Sequence, residues 1–444
     1  MKNRRMILTA MAMMMAFAGT AVSQNGINVP YSQFGIGIGE MPNNMPMAGR
    51  MGGTVYTLSG NNFVNPFNPA SYASVEMESF VFDMGLNIQM GTLREGDKSD
   101  FDADGNLSYL AVAMPVTRWL KLGAGLMPLS SVDYESVSQQ TGTGFGTVKT
   151  VYDGTGGVSQ VFFGPAVNIP VGKRTSLQAG VNLNILTGTL QRAISFEFQG
   201  NDSTYYMDSR RYRETRLGNF TYDMGLQFRQ QLGSKFTLGI GAVYKPYRDM
   251  KVSDKALIYT FHASDESLVD TIFPQRGGNA SFKSRLEQSQ TVGVGLSLER
   301  NKKWQMAVDA TFGTWNGLRY TEDTAHAIFG TNALRYGPYR RYAAGFERIG
   351  DMDAATYWGR IGWSAGAHLE QGSMYLNLGG SDRRIDEWGI GFGATLPMRK
   401  GRSLLTISMG YSSYGASDLL QRTAFTIGIG VSSCEKWFVK RKYN

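Results

Sequence analysis

The stretch "SLQAGVNLNIL", residues 176–186, sorts into two faces with a period of two. Leu177, Ala179, Val181, Leu183 and Ile185 make one face; Ser176, Gln178, Gly180, Asn182 and Asn184 make the other. Such alternation belongs to a strand with one apolar side. "EWGIGFGATLP", 387–397, repeats it, with Trp388, Ile390, Phe392, Ala394 and Leu396 set against Glu387, Gly389, Gly391, Gly393 and Thr395. The same division begins at Ser79, where Phe80, Phe82, Met84, Leu86 and Ile88 are apolar, and it ends with Phe425, Ile427, Ile429 and Val431.

Extending this reading places strands near 79–93, 105–116, 119–134, 157–170, 175–198, 212–232 and 235–252. Further strands fall near 282–300, 303–315, 355–368, 373–380, 387–397, 402–413 and 422–433, about 14 in all. Their connections alternate in length. "VTRW", "VGKRTS", "LGSK", "RNKKW", "LEQGS" and "MRKGRS" are short. Longer ones fall around 94–104, 134–157, 199–211, 253–281, 314–354, 381–386 and 414–421. Short turns on one side and long loops on the other mark an outer-membrane barrel. Trp119 and Trp304 adjoin short turns, where an interfacial aromatic girdle belongs. A secreted sandwich or propeller also alternates, but needs no such interleaving of turns. The expected fold is all-β: a transmembrane antiparallel β-barrel.

The N-terminus agrees with export. "MKNRRMILTAMAMMMAFAGTAVSQ" has Lys2, Arg4 and Arg5, an apolar run from Met6, and small residues at Ala21-Val22-Ser23, which reads as a signal peptide cleaved after Ser23. Cleavage leaves 421 of the 444 residues and, with those three bases gone, takes the net charge from +8 to +5. That mild excess calls for no nucleic acid. The single cysteine, Cys434, permits no internal disulfide. No later apolar run reaches the 18 residues of a membrane helix.

Glycine packs nothing in a strand and is usually disfavoured there. Here it recurs on the non-lipid face, as at Gly123, Gly125, Gly180, Gly225, Gly239, Gly241, Gly293, Gly295, Gly391, Gly393, Gly428 and Gly430. A wall so hollowed suits a bulky occupant. Residues 24–78 supply one: this Gly- and Pro-rich, weakly charged segment holds Pro30, Pro42, Pro46, Pro66 and Pro69 and cannot pair as a central strand. The expected organisation is a signal peptide at 1–23, a plug or hatch in the lumen at 24–78, the barrel at 79–433 and a periplasmic tail at 434–444.

"FGIGIG" at 34–39, Met51-Gly52-Gly53, and Asn68-Pro69-Ala70 just before the first strand carry a resemblance. Together with the strand count, they make the chain resemble the FadL-type outer-membrane transporters of fatty acids and other hydrophobic compounds. The resemblance implies an N-terminal hatch whose movement opens a path. On this chain the gating positions would be Gly35, Gly37, Gly39, Gly52, Gly53, Asn68, Pro69 and Ala70.

Other constellations are weaker. Asp100, Asp102, Asp104 and Gly105 open like a calcium loop, but the twelfth position is Ala111, so an acidic turn is the simpler reading. Met41, Met45, Met47 and Met51 could hold Cu(I), though packing explains them more simply. His262, His326 and His368 lack metal-ligand spacing, and no serine–histidine–acid set converges, so neither an enzyme nor a cofactor is expected. "DSRRYRETR" at 208–216 and "RYGPYRRYAAGFERIGDMD" at 335–353 would place Arg and Tyr near outer loops, either to contact lipopolysaccharide or an anionic ligand headgroup or simply to order a loop by cation–aromatic packing.

The expected function is passive outer-membrane transport of a hydrophobic or amphipathic small molecule. The alternative is a non-transporting accessory barrel of a secretion or assembly complex, docked on other outer-membrane proteins.

Overall fold

The computed structural model describes residues 29–436 except 40, 143–145, 200–206, 247, 262–267, 273–280, 289, 302, 315–333, 379–380, 399–401 and 417–418. The signal peptide, His262 and His326 lie outside the described residues.

A two-residue strand, β1 (Ile38–Gly39), belongs to the N-terminal segment. The wall begins with β2 (Ser79–Glu95), β3 (Lys98–Pro115), β4 (Leu120–Gly142), β5 (Gly146–Pro170), β6 (Thr175–Gln199) and β7 (Asp208–Leu232). It continues through β8 (Phe236–Lys245), β9 (Arg248–Phe261), the short β10 (Leu268–Ile272), β11 (Ser281–Gln288), β12 (Thr291–Arg300) and β13 (Trp304–Thr314). It ends with β14 (Leu334–Tyr336), β15 (Pro338–Arg348), β16 (Gly362–Leu378), β17 (Ser381–Met398), β18 (Ser403–Gly415) and β19 (Gln421–Lys436).

Three wall strands are interrupted in mid-course. β8 and β9 both pair with β7, β11 and β12 both pair with that combined strand, and Gly337 separates β14 from β15. Counting each as one, and leaving out the short β10 that pairs back on β9, gives a 14-strand antiparallel barrel. It closes where β19 pairs with β2, from Gln421 against Arg94 down to Lys436 against Ser79.

The period-2 faces are those of the sequence. Gln178, Asn182 and Asn184 are buried on the inner side, whereas Ile185 is 55% exposed on the outer side and Val308 and Phe392 are similarly bare. A continuous outer band of such side chains cannot face water and defines the lipid belt. Trp119 and Trp304 lie at its lower edge beside short turns, and Trp363 lies at the same edge after the longer connection 349–361.

The strand count of 14 was reached in the sequence by two compensating errors. Residues 314–354, expected as a loop, contain β14 and β15; residues 355–368 and 373–380, expected as two strands, form the single strand β16. "LEQGS" is not a turn but a bulge in β16, where the register shifts between Gln371 and Tyr375. Several expected loops are strand as well. β4 to β7 run on for up to 25 residues each, and the acidic run Asp100–Asp104 lies within β3, not in a turn. The segment 208–216 opens β7, and Cys434 pairs with Val81 inside β19.

The chain from Val29 to Val75 packs against the inner wall, and it supplies the core. Met45, Met47, Val55, Tyr56, Val64 and Tyr72 cluster with Val81, Tyr109, Phe162, Val243 and Leu404 of the wall. Fully burying one such side chain stabilises by roughly 1.5–3 kcal/mol. Wall glycines make the fit possible. A Cβ at Gly180 would stand 2.5 Å from the Pro69 carbonyl, and one at Gly366 would stand 2.2 Å from the Met51 carbonyl carbon.

Candidate functional site

Three features meet at the N-terminal arm inside the barrel. The first is a break in the wall. β3 and β4 pair only from Leu110–Pro115 against Lys121–Leu126; farther up, β3 has no strand partner on that side among the described residues. The unpaired stretch Lys98–Tyr109 amounts to about 40 Å of strand edge. Its causes are local. Bulges at Gly85/Leu86 and at Pro128/Ser130 flank the break, and bulges bend and twist strands away from their neighbours. The gap therefore opens within the lipid belt, above Leu110 and Leu126.

The second feature is an arm of the inner segment that covers the edge β3 leaves. Ile38 and Gly39 pair with Ser131 and Ser130 of β4. The Val29 amide donates to the Asp133 carbonyl at 2.8 Å. Ser32 Oγ both donates to that carbonyl and accepts from the Asp133 amide, each at 3.1 Å, as a paired strand residue would. The glycines of this arm are used structurally. Gly37 sits at φ +95°, and a Cβ there would lie 2.1 Å from the Ser131 carbonyl oxygen; the Gly35 carbonyl accepts from Arg192 at 2.7 Å.

The third feature is a cavity of about 250 Å³ behind the arm. Phe34, Ile36, Ile38, Met41, Leu129, Met250, Met374 and Ile385 give it apolar walls. Its size is near the lower end of small-molecule sites, which run from about 300 to 1,000 Å³. Tyr339, Arg341 and Glu370 form a polar corner. The Tyr339 hydroxyl donates to Glu370 Oε2 at 3.0 Å, and Arg341 Nε lies 3.9 Å from the same oxygen.

That corner reaches a second part of the inner segment as well. Arg341 Nη1 and Nη2 donate to the Gly53 and Gly52 carbonyls at 3.2 and 3.3 Å. Gly52 and Gly53 have positive φ, +68° and +82° respectively, where an L side chain would be strained. Asn68, Pro69 and Ala70 form a separate anchor on β6 and β7. The fully buried Asn68 caps the 3-10 helix Pro69–Ser74 by accepting from the Ala70 amide, and its Nδ2 donates to the Tyr56 carbonyl at 2.6 Å. The eight glycine, asparagine, proline and alanine positions singled out by sequence thus fall into three groups at different points of the wall.

Sequence reading missed the wall side chains that hold the inner segment. Asp309 accepts from the Val55 and Tyr56 amides at 2.5 and 3.0 Å, and Asp83 accepts from the Val64 amide at 2.8 Å. Asn182 Nδ2 donates to the Pro66 carbonyl, and Gln227 Nε2 to that of Tyr56. Arg50 pairs with Glu347 at 2.6 Å, with both side chains nearly dry. Burial pushes the Tyr56 phenol up to about 12, and its hydroxyl shares a 2.7 Å hydrogen bond with that of Thr311. The available signal was a carboxylate or amide on the glycine-bearing face. Met45, Met47 and Met51 are buried, and Met47 Sδ accepts from Arg50, a packing role. His368 lies on the lumen side, its Nε2 3.3 Å from Glu387.

Comparison with solved structures returns the same barrel. The Pseudomonas putida toluene transporter TodX superposes with a TM-score of 0.53 at 14% identity, covering 90% of this chain and 98% of that one. The monoaromatic hydrocarbon channel CymD gives 0.51 at 14% identity over 89% and 98%. A Pseudomonas aeruginosa FadL homologue gives 0.50 at 13% identity over 90% and 100%. At such identities the likeness is one of fold, the FadL-type outer-membrane barrel. No curated protein matches the chain. The sequence model of the BamG family matches residues 4–444, so this FadL-type barrel belongs to the BamG family.

Proposed function

We propose that the protein takes a small hydrophobic or amphipathic molecule into the cavity behind the arm and passes it on passively, with the plug as hatch. The observation that carries this reading is shared use of one segment: the arm from Val29 to Gly39 both lines the cavity and covers the wall break between β3 and β4. Displacing the arm would join the cavity to the lipid belt. TodX and CymD are described as handling toluene and monoaromatic hydrocarbons, which supports an apolar cargo for a barrel of this fold. The mature chain starts at Gln24 in this reading, and β19 brings its last described residues to the periplasmic end of the barrel.

The test is a reversible lock. Ile38→Cys with Ser131→Cys, on a Cys434→Ser background, places two thiols at paired positions of the arm and β4. Oxidised protein in vesicles should lose facilitated entry of the neutral dye N-phenylnaphthylamine, and reduction should restore it. Equal entry with the lock closed would refute the route.

A second reading, an accessory barrel docked in an outer-membrane complex, is favoured by how tightly the plug is seated. Its backbone meets wall glycines on β6, β8, β15, β16 and β17. Purification of the tagged protein from gently solubilised membranes, with mass spectrometry of proteins and lipids, separates the two. Stoichiometric outer-membrane partners without a bound small molecule would replace transport by docking.

A further inference from the structure

The short-turn end of the barrel carries a feature that neither reading uses. Four consecutive connections, β3–β4, β5–β6, β7–β8 and β12–β13, present Arg118, Lys173, Arg174, Lys235, Arg300 and Lys303, all exposed. Among the described residues of these four turns, 116–119, 171–174, 233–235 and 301–303, there is no acid. The run ends at the next connection, 349–361, which exposes Asp351 and Asp353.

The turns are tied edge to edge. The Asn168 amide donates to the Trp119 carbonyl at 2.9 Å, Gln231 to Arg174 at 2.8 Å, Asn301 to Lys235 at 2.9 Å and Ile349 to Lys303 at 2.9 Å. The bases therefore stand on a fixed rim, not on independent loops. Three of them directly precede a belt aromatic, as Arg118-Trp119, Lys235-Phe236 and Lys303-Trp304. The Arg300 guanidinium lies 5.9 Å from the Phe236 ring centre, and that ring is 6.3 Å from Trp304. Aromatic side chains of this kind sit at headgroup depth. Each charge is held where lipid phosphates lie, below the apolar belt.

We infer that this rim is a binding surface for anionic phospholipid headgroups of the periplasmic leaflet, with the phosphodiester as the recognised group. The continuity of the bases with the lipid-facing aromatics selects lipid over a soluble acidic protein. Clustered bases also place two cations within reach of one headgroup, as at Lys173 and Arg174. One base near an anionic surface changes affinity by about fivefold, so a two-base contact should favour phosphatidylglycerol over phosphatidylcholine by about 25-fold.

The test uses purified full-length protein offered an equimolar mixture of phosphatidylglycerol and phosphatidylcholine, with retained lipid counted by native mass spectrometry. Wild type should retain phosphatidylglycerol at least tenfold in excess. Arg118→Gln with Lys173→Gln, Arg174→Gln and Lys235→Gln should bring the ratio near one. A matched variant at the opposite end, Arg94→Gln with Lys98→Gln, Lys251→Gln and Lys255→Gln, removes as many exposed bases and should keep the excess. Salt at 1 M, where the screening length is about 3 Å, should erase the preference in wild type. An unchanged ratio in the rim variant, or an equal fall in the matched one, would overturn the assignment. Loss of a co-purifying acidic protein from the rim variant, with its lipid ratio intact, would assign the surface to that protein instead.

Discussion

Glu347→Ala should loosen the plug far more than the loss of one contact suggests. Glu347 and Arg50 form a buried pair at 2.6 Å, with side chains 11% and 4% exposed. Arg50 has other partners, Ser364 Oγ at 3.2 Å and Met47 Sδ, but neither carries charge. Removing the carboxylate leaves a guanidinium in a dry site, at a cost of about 3–5 kcal/mol, because desolvation is no longer offset. If the plug can leave its seat, that cost raises the unseated fraction roughly 150- to 4,000-fold. The double variant Arg50→Ala, Glu347→Ala buries no lone charge, so most of the effect should vanish. The assay is thiol labelling of Thr54→Cys, a buried plug position near Arg50, on a Cys434→Ser background. Labelling should rise by at least two orders of magnitude in the single variant and return to within tenfold of the parent in the double. Equal labelling in single and double variants would refute the reasoning, since the cost would then come from lost packing and not from an orphaned charge.

Gly366→Val would drive side-chain atoms into the Met51–Gly52 backbone, where a Cβ already stands 2.2 Å away; the barrel should fold but conduct ions in planar bilayers more readily than wild type. Asn68→Ala removes a helix cap and a donor to the Tyr56 carbonyl; we expect a loss of roughly 1–3 kcal/mol, read as a lower midpoint in heat-modifiability gels. Asp309→Asn keeps the size but weakens acceptance from the Val55 and Tyr56 amides, and should label Thr54→Cys faster than the parent while leaving the barrel's heat resistance intact.

Where one face met lipid and the other carried glycine, the sequence was legible. β6, β18 and β19, and β11 with β12 taken as one strand, agree with the sequence reading to within a few residues, because lipid and the inner segment impose opposite demands on alternate positions. β15 was hidden by the side chains that matter most. Arg341 and Glu347 face inward among Ala343 and Gly345, so the stretch looks like a charged loop until the plug partners are known. The bulge at Gly372 imitates a turn; a Cβ there would stand 2.0 Å from the Ile385 carbonyl, so glycine is needed in mid-strand. The upper halves of β4 and β5 were read as loop because they rise past the lipid belt and lose the apolar stripe. The site itself was half legible. The arm and its glycines stood out, but the wall break depends on which strands fail to pair, and single-strand periodicity does not contain that.

The closing seam has a consequence for how such a chain is built. Tyr31 bonds to Leu420 across 389 residues, Arg50 to Glu347 across 297, and Ser432 to Asp83 across 349. The plug comes first in the chain and touches strands made near the end, while the seam joins the first wall strand to the last. The earliest segment therefore acts as a mandrel, around which a sheet must curl before its two margins can meet. Contacts so distant along the chain fold slowly. Until the seam shuts, that sheet exposes two raw margins and a greasy outer surface, so escort to the membrane is as much a requirement of this architecture as the barrel's final shape.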